Sequence, residues 1–460
     1  MKYLTADFGS TYTKLTVIDS EKHSILGTAS AFTTIDTDIM VGFNNALQSL
    51  EAKIGKFNYD QLLCCSSARG GLKMVALGFV PELTAKAAKM AASSAGAKVV
   101  KAYSFEISKT EQDEIYNIDP DLILLCGGTN GGNKDVIISN AKRLCEINRD
   151  FSIIIAGNKS ASHELDTIFK KSEKDYIITD NVMPSFNKLE IEPARKAIKE
   201  LFIKKIVEAK GLAAIQKISA GEVIPTPLAV MNACELLSKG TKTNAGIGEF
   251  MAIDLGGATT DIYSMAKGDP TMENMLVKGL PEPFSKRTVE GDLGMRYSLN
   301  SLFSELDIDT FETETGIGKK EVADWVAFCT NNPNTITESN SKEHLIEESL
   351  AREAVSIAVE RHCGYWESTY SPIGEIYSII GKDLSDIPLV IGIGGAIINS
   401  HQPAKILDGV KYNPKKYNCM RPKSPQYMLD KKYIFASMGL LSIVDPDLAL
   451  DLIKKETQLI

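Results

Sequence analysis

Polar and apolar positions alternate through "KLTVID" (14–19), and the apolar "YLTAD" (3–7) precedes it across glycine and hydroxyl residues. This pattern predicts a strand over Tyr3–Asp7, a turn over Gly9–Thr11 and a second strand over Lys14–Asp19, joined as a hairpin. From about residue 59 to 182 the period changes. Short continuous apolar runs appear at "LLCCS" (62–66), "KVVKAY" (98–103), "LILLC" (122–126), "SIIIA" (152–156) and "DYIIT" (175–179). Helix-like stretches such as "TAKAAKMAASSA" and "NKDVIISNAKRLCEI" lie between them, so the segment predicts a parallel sheet with crossover helices. Beyond Glu192-Pro193, "ARKAIKELFIKKIVEA" has a helical period, and the prolines of "GEVIPTPLAVMNACELLSKG" are placed to open another helix. "KGTKTNAGIG" (239–248) reads as a linker and hinge. Helices are expected at about 319–330 and 343–362, a strand and turn in "PLVIGIGGAII" (388–398), and a helix at "ASMGLLSI". "KYNPKKYNCMRPKSP" (411–425) reads as a solvated loop.

A chain of 460 residues is too long for one ordinary core, and two or three domains are expected. With 44% hydrophobic and 24% charged residues, the composition is that of a soluble globular protein. The net charge of −8 and the lack of a basic run set nucleic-acid binding aside. No run approaches the roughly 20 apolar residues of a membrane span, and the first residues do not read as a signal peptide. The eight cysteines show no CxxC spacing, which predicts reduced thiols in a cytoplasm, and the five histidines show no zinc-site spacing and are expected to be structural.

Two stretches share one set of ingredients: "ADFGSTYTKLTV" (6–17) and "DLGGATTDIY" (254–263). A phosphate chain needs backbone N–H groups that can approach closely, which glycine permits, and hydroxyls that donate to oxygen. Mg2+ needs a few carboxylates and water. The first turn offers Asp7, Gly9, Ser10, Thr11, Thr13 and Lys14; the second offers Asp254, Gly256, Gly257, Ala258, Thr259, Thr260 and Asp261. Facing each other across a cleft, two such turns would grip a triphosphate from both sides. "IGIGGAI" adds Gly392, Gly394, Gly395 and Ala396, whose backbone suits a nucleobase and ribose, and it lacks the pattern of a P-loop.

The order of these elements resembles the actin, sugar-kinase and heat-shock-chaperone ATPase superfamily. "TVEGDLGMRYSL" (288–299), with Glu290, Gly291 and Asp292, looks like that superfamily's glycine-acidic turn beside the nucleotide. "DFGSTYTK", "SSARGGLKMVA", "CGGTNGGN", "KRTVEGDLGMR" and "GIGGAI", in this order, resemble the MutL family associated with glutamate mutase, the accessory ATPase of cobalamin-dependent mutases. The resemblance implies an α/β fold: two actin-like (ribonuclease H-like) ATPase lobes with an inserted flavodoxin-like α/β domain. Lobe I is expected at 1–58 and 186–245, the inserted domain at 59–185 and lobe II at 246–460. The implied function is an ATP-dependent, chaperone-like reactivating factor that releases damaged cobalamin, with ATP/ADP and Mg2+ as ligands and Asp7 and Asp254 holding the metal through water. The implied partner is the mutase, through its large catalytic subunit.

Alternatives stand beside these readings. On the same fold, a small-molecule kinase would use Asp254 or Asp261 as general base, and a filament-forming relative of actin would need self-complementary faces. Lys14 reads as a phosphate contact or a solvated lysine, and Asp261 as a metal-water ligand or a turn cap. Glu290 and Asp292 read as ribose or metal-water contacts or as caps of a helix beginning near Gly294. Arg287 reads as a surface arginine, with a phosphate contact as the alternative. The inserted domain looks like the cobalamin-binding subunit of these mutases, whose first strand ends in a D-x-H-x-x-G turn. Its corresponding positions here are Ser66, Ala68 and Gly71, so no tightly ligated cobalamin is expected. The plainer reading is an α/β insertion that only stabilises the first lobe.

Overall fold

The computed structural model describes residues 1–34, 38–67, 73–208, 212–338, 341–372 and 374–460. The chain divides into two compact units, Met1–Ala229 with Gly279–Pro281, and Val230–Lys278 with Glu282–Ile460. The division falls inside the helix Thr226–Lys239.

The first unit carries β1 (Lys2–Phe8), β2 (Tyr12–Asp19), β3 (Ser24–Phe32), β4 (Gln61–Ser66) and β5 (Lys73–Gly78). It continues with β6 (Lys98–Ser104), β7 (Leu122–Leu125), β8 (Ser152–Ile155), β9 (Tyr176–Ile178) and β10 (Ile224–Pro225). One sheet has the order β10-β4-β1-β2-β3. The predicted hairpin is there, with β1 antiparallel to β2, while β4 runs parallel to β1 on its other side. This is the mixed order of a ribonuclease H-like lobe. Its core gathers Leu4, Phe8, Leu15 and Val17 with Phe43 and Leu50 of the helix Ile39–Ile54.

The second sheet is parallel throughout, in the order β6-β5-β7-β8-β9. Both faces are covered, which explains the continuous apolar runs. Met74, Ala76, Leu122, Leu124 and Ile154 enter one core, and Val75, Leu77, Ile123, Leu125, Ile153 and Ile155 the other. One expectation is corrected here. The run at 62–66 is not the first strand of this sheet; it is β4 of the mixed sheet, paired with β1 and β10. The first strand is β5, at the end of the glycine-rich stretch read as a motif. A strand buried on both faces looks alike in sequence whichever sheet receives it, so the run alone could not assign its neighbours. Ser66 accordingly ends β4, while Ala68 and Gly71 lie outside the described residues.

In the second unit, β11 (Phe250–Leu255), β12 (Thr260–Met265), β13 (Leu276–Lys278), β14 (Ser285–Glu290) and β15 (Tyr365–Ser371) are followed by β16 (Gly374–Ile380), β17 (Leu389–Ile393), β18 (Gln426–Leu429) and β19 (Gln458–Leu459). The main sheet runs β14-β12-β11-β17-β18-β19, with β12 antiparallel to β11 and β14, and β17 and β18 parallel to β11. The first unit's strand order is repeated, with one strand added. The chain is thus an α/β protein with two actin-like lobes. The helix Lys342–His362 packs Leu350, Ala354, Val355 and Ala358 into the core of this sheet.

Two loop expectations change. The stretch 239–248 is tied to the helix Pro446–Glu456: Thr243 donates to Asp447 at 2.6 Å, and Lys454 donates to Asn244 at 2.7 Å. Within 411–425, Cys419 and Met420 are buried and Arg421 is 1% exposed, its guanidinium donating to Ser356 and to the carbonyl of Gly409.

Lys382 is also buried in this unit, its ammonium donating to the carbonyls of Ala266 and Phe284 at 2.7 Å each. Burial, with the charge of Lys286 nearby, lowers its pKa to about 7, against the partial support of Glu282 and Glu249. The folded protein therefore binds this proton less readily than the unfolded chain, and the stability it withholds below about pH 7 returns as pH rises toward the ordinary lysine range near 10.4. Urea titrations from pH 7 to 9.5 should show wild-type stability rising by up to about 1.4 kcal/mol per pH unit relative to Lys382→Met. Parallel pH profiles for the two proteins would refute the assignment.

Candidate functional site

The two aspartate-glycine turns are built alike. Gly9 N–H donates to the carbonyl of Tyr12 at 3.1 Å, and Gly256 N–H to that of Thr259 at 2.9 Å. A β-carbon would lie 2.7 Å from the Tyr12 oxygen at Gly9 and 3.1 Å from the Thr259 oxygen at Gly256, so glycine lets each turn close. The returning strand then places Lys14 opposite Asp7, and Asp261 opposite Asp254.

Asp7 is 3% exposed, buried at the end of its strand. Its Oδ1 accepts from Thr226 Oγ1 at 2.6 Å and from Cys65 Sγ at 3.4 Å, and its Oδ2 lies 3.7 Å from Lys14 Nζ. Burial first, and the charge of Asp7 second, push the Cys65 thiol well up, which keeps it a donor. Ser10 Oγ donates to the carbonyl of Ser67 at 3.0 Å, and Thr11 accepts at its carbonyl from Thr33 N–H. Thr13 faces the interior, where its hydroxyl pairs with that of Thr33.

Asp254 is half-buried, and its Oδ1 accepts from Tyr433 OH at 3.3 Å. Asp261 is held by Arg287, with Nη2 at 2.6 Å and Nε at 2.8 Å from Oδ1, and by Thr259 Oγ1 at 3.1 Å from Oδ2. Arg287 is 5% exposed, so the reading of a surface arginine is corrected: it neutralises a carboxylate inside the sheet. Thr260 is buried and its hydroxyl bonds the carbonyl of Leu293. The loop after β14 wraps this turn, as Arg296 N–H donates to Gly257 O at 2.8 Å and Ser298 Oγ reaches both Ala258 O and Gly291 O at 2.8 Å. No helix begins near Gly294; the next starts at Leu299. Glu290 and Asp292 instead bind Arg361 Nη1 at 2.9 and 2.8 Å, and Glu305 binds its Nη2 at 3.0 Å.

The third glycine element lies beside the second. Asp254 pairs with Ile393, and Gly394, at φ 92°, comes so near β11 that a β-carbon would lie 2.4 Å from Leu255 O. Gly392 is buried in its strand, Gly395 opens the short helix Gly395–Ile398 in exposed backbone, and Ala396 is half-buried. In the second unit, then, Gly256–Thr259, Asp254, Asp261 and Gly394–Ala396 form one neighbourhood. Sequence reasoning missed Thr226, Cys65, Tyr433 and Arg361. None of the four carries a sequence signal of its role; in the structure Tyr433 holds a left-handed φ of 55° that bulky residues rarely adopt.

Residues 3–457 match the family described as MutL protein. The protein MutL of Clostridium tetanomorphum is 46% identical over 455 residues, which cover 98% of each chain. Among solved structures, the activator of the 2-hydroxyisocaproyl-CoA dehydratase from Clostridium difficile with bound ADPNP is 9% identical, with a TM-score of 0.31 over 99% of this chain and 98% of that one. A ligand-bound xylulose kinase from Lactobacillus acidophilus is 12% identical, with a TM-score of 0.34 over 100% and 92%.

The Arg287–Asp261 pair yields a stability test. Asp261→Asn leaves a guanidinium buried without its counter-charge, which should cost about 3–5 kcal/mol. The double variant Asp261→Leu with Arg287→Met should recover most of that loss in thermal unfolding. A single variant as stable as wild type would refute a structural role for the pair.

Proposed function

The chain belongs to the MutL family, and on that premise we propose that it is an ATP-dependent accessory protein that reactivates a cobalamin-dependent mutase, glutamate mutase or a related aminomutase, by driving release of damaged cofactor. The observation that carries the reading is the duplicated hairpin, in which each sheet ends its first strand with an aspartate and a closed glycine turn. Carboxylates at strand ends beside glycine turns are a donor set suited to a hard cation such as Mg2+ and to phosphate oxygens. When bound, Mg2+ would supply charge neutralisation at the phosphates. Asp7 and Asp254 would each hold a water of the metal, Asp261 would orient a further water, and the turns at Gly9–Lys14 and Gly256–Thr260 would present backbone donors to the phosphates. Glu290, Gly291 and Asp292, with Gly392 and Gly394–Ala396, would take the nucleoside. ATP favours one conformation of the protein over another, and that difference in affinity is the work available to open a trapped mutase. The kinase alternative needs a free general base, and the engagement of Asp261 by Arg287 argues against Asp261 in that role.

The parallel sheet supports a second element of the proposal, that this domain competes with the mutase's cobalamin subunit for the large catalytic subunit. Its order, with the second strand outside the first and the third, fourth and fifth following, is that of a flavodoxin-like doubly wound sheet. The turn after its first strand is "FVPELT" (79–84), in which no histidine stands where a cobalt ligand would be needed.

Asp7→Asn and Asp254→Asn should each lower ATP hydrolysis by at least about a hundredfold while the far-ultraviolet circular dichroism stays that of wild type. Hydrolysis at the wild-type rate in both would overturn the site assignment. The functional test mixes the full chain, Mg·ATP and fresh coenzyme with a mutase inactivated on its cobalamin. Recovered mutase activity that ADP cannot replace is expected, with inorganic phosphate the only new phosphorylated product. A phosphorylated small molecule would favour the kinase. In a pull-down on the large mutase subunit, excess cobalamin subunit should displace the full chain; simultaneous retention of both would overturn the competition.

A further inference from the structure

Each mixed sheet holds its aspartate by a hydroxyl from a distant part of the chain. Thr226 Oγ1 donates to Asp7 Oδ1 at 2.6 Å, and Tyr433 OH donates to Asp254 Oδ1 at 3.3 Å. The two donors occupy the same place in the topology. Counting outward from β1, β4 and then β10 follow on one side, and Thr226 opens the helix that begins directly after β10. Counting outward from β11, β17 and then β18 follow, and Tyr433 lies just before the helix Phe435–Leu441 that comes after β18. The chemistry of the donor differs, one aliphatic and one phenolic, yet both reach Oδ1 of the aspartate on the central strand.

The surroundings fix both hydroxyls. Thr226 stands between Pro225 and Pro227; the ring of Pro227 restricts its backbone, and Pro225 is paired in register with Ser66 of β4. Tyr433 is held at φ 55° by a closed loop. Its N–H donates to Asp430 O at 3.0 Å, while the buried Asp430 carboxylate accepts from Ile434 N–H and Phe435 N–H at 2.9 Å each. Asp430 N–H in turn donates to Gly392 O at 3.0 Å, which ties this loop to the third glycine element.

We infer that Thr226 and Tyr433 are a matched pair of positioning residues that set the metal-facing orientation of Asp7 and Asp254. The inference rests on the reading that these carboxylates hold a nucleotide-bound metal. Fixing one oxygen of a carboxylate restrains its rotation, so the other oxygen is presented in one direction. Mg2+ demands near-octahedral geometry and keeps several waters, so a carboxylate that acts through such a water works only when it is aimed. Neither hydroxyl touches the metal or the nucleotide in this scheme; each acts through its aspartate.

The test uses the full chain with Thr226→Val, Thr226→Ser and Tyr433→Phe. ADP affinity is measured by calorimetry in the presence of a chelator, and Mn2+ affinity of the ADP-loaded protein by electron paramagnetic resonance. Loss of a hydrogen bond to a charged group should weaken Mn2+ binding about tenfold in Thr226→Val and in Tyr433→Phe. Metal-free ADP affinity should stay within about twofold, and Thr226→Ser should bind Mn2+ as wild type does. Unchanged Mn2+ affinity in both variants overturns the inference. So does an equal loss of metal-free ADP affinity, which would mark a structural role. A wild-type chain that binds ADP but gains no Mn2+ site overturns the parent reading, an outcome visible without any variant.

Discussion

The closure of the turn after the first strand is the constraint on which both mixed sheets depend. At Gly9 and Gly256 the backbone N–H meets the carbonyl three residues on, at a separation that leaves little or no room for a β-carbon. Because the turn is so short, the second strand returns in a single register, and that register decides what each aspartate faces. A slip of the returning strand by one residue would send Lys14 and Asp261 to the opposite face of their sheets. The parallel strand on the other side then brings in the remaining chemistry: β4 carries Cys65 to Asp7, and β17 carries Gly394 to the end of β11.

What could be read from the sequence was local. The hairpin of β1 and β2, the glycine turns and the helix Lys342–His362 announce themselves within a few residues, through alternation, turn chemistry and helical period. What could not be read was long-range partnership. Thr226 lies 219 residues from Asp7 and Tyr433 lies 179 residues from Asp254, and no local pattern marks either hydroxyl. The exchange of 62–66 for 73–78 as first strand of the parallel sheet has the same origin. Both runs are apolar on both faces, and only pairing distinguishes the sheet centre each one fills. Arg287 was misread for a related reason: on β14 it lies across from β12, where burial follows from a carboxylate that only the register supplies.

The two halves share a backbone plan but not a charge plan, and the difference is informative. Asp7 faces Lys14 across the hairpin, so the first turn carries a cation beside its carboxylate. Asp254 faces a second carboxylate, Asp261, in the corresponding register position. Two like charges directly opposite on neighbouring strands repel, and burial would strengthen that repulsion by lowering the local dielectric. Arg287 removes the difficulty from behind, since its guanidinium contacts Asp261 at 2.6 Å from the adjacent strand. Asp254 can then remain an acceptor for Tyr433 with its neighbour neutralised. The second turn therefore draws its counter-charge from a third strand, where the first has its own, Lys14, within two. A variant that disturbs β14 should reach the chemistry of the second half through charge, with its glycine turn left closed, whereas the first half has no such dependence on its own third strand, β3.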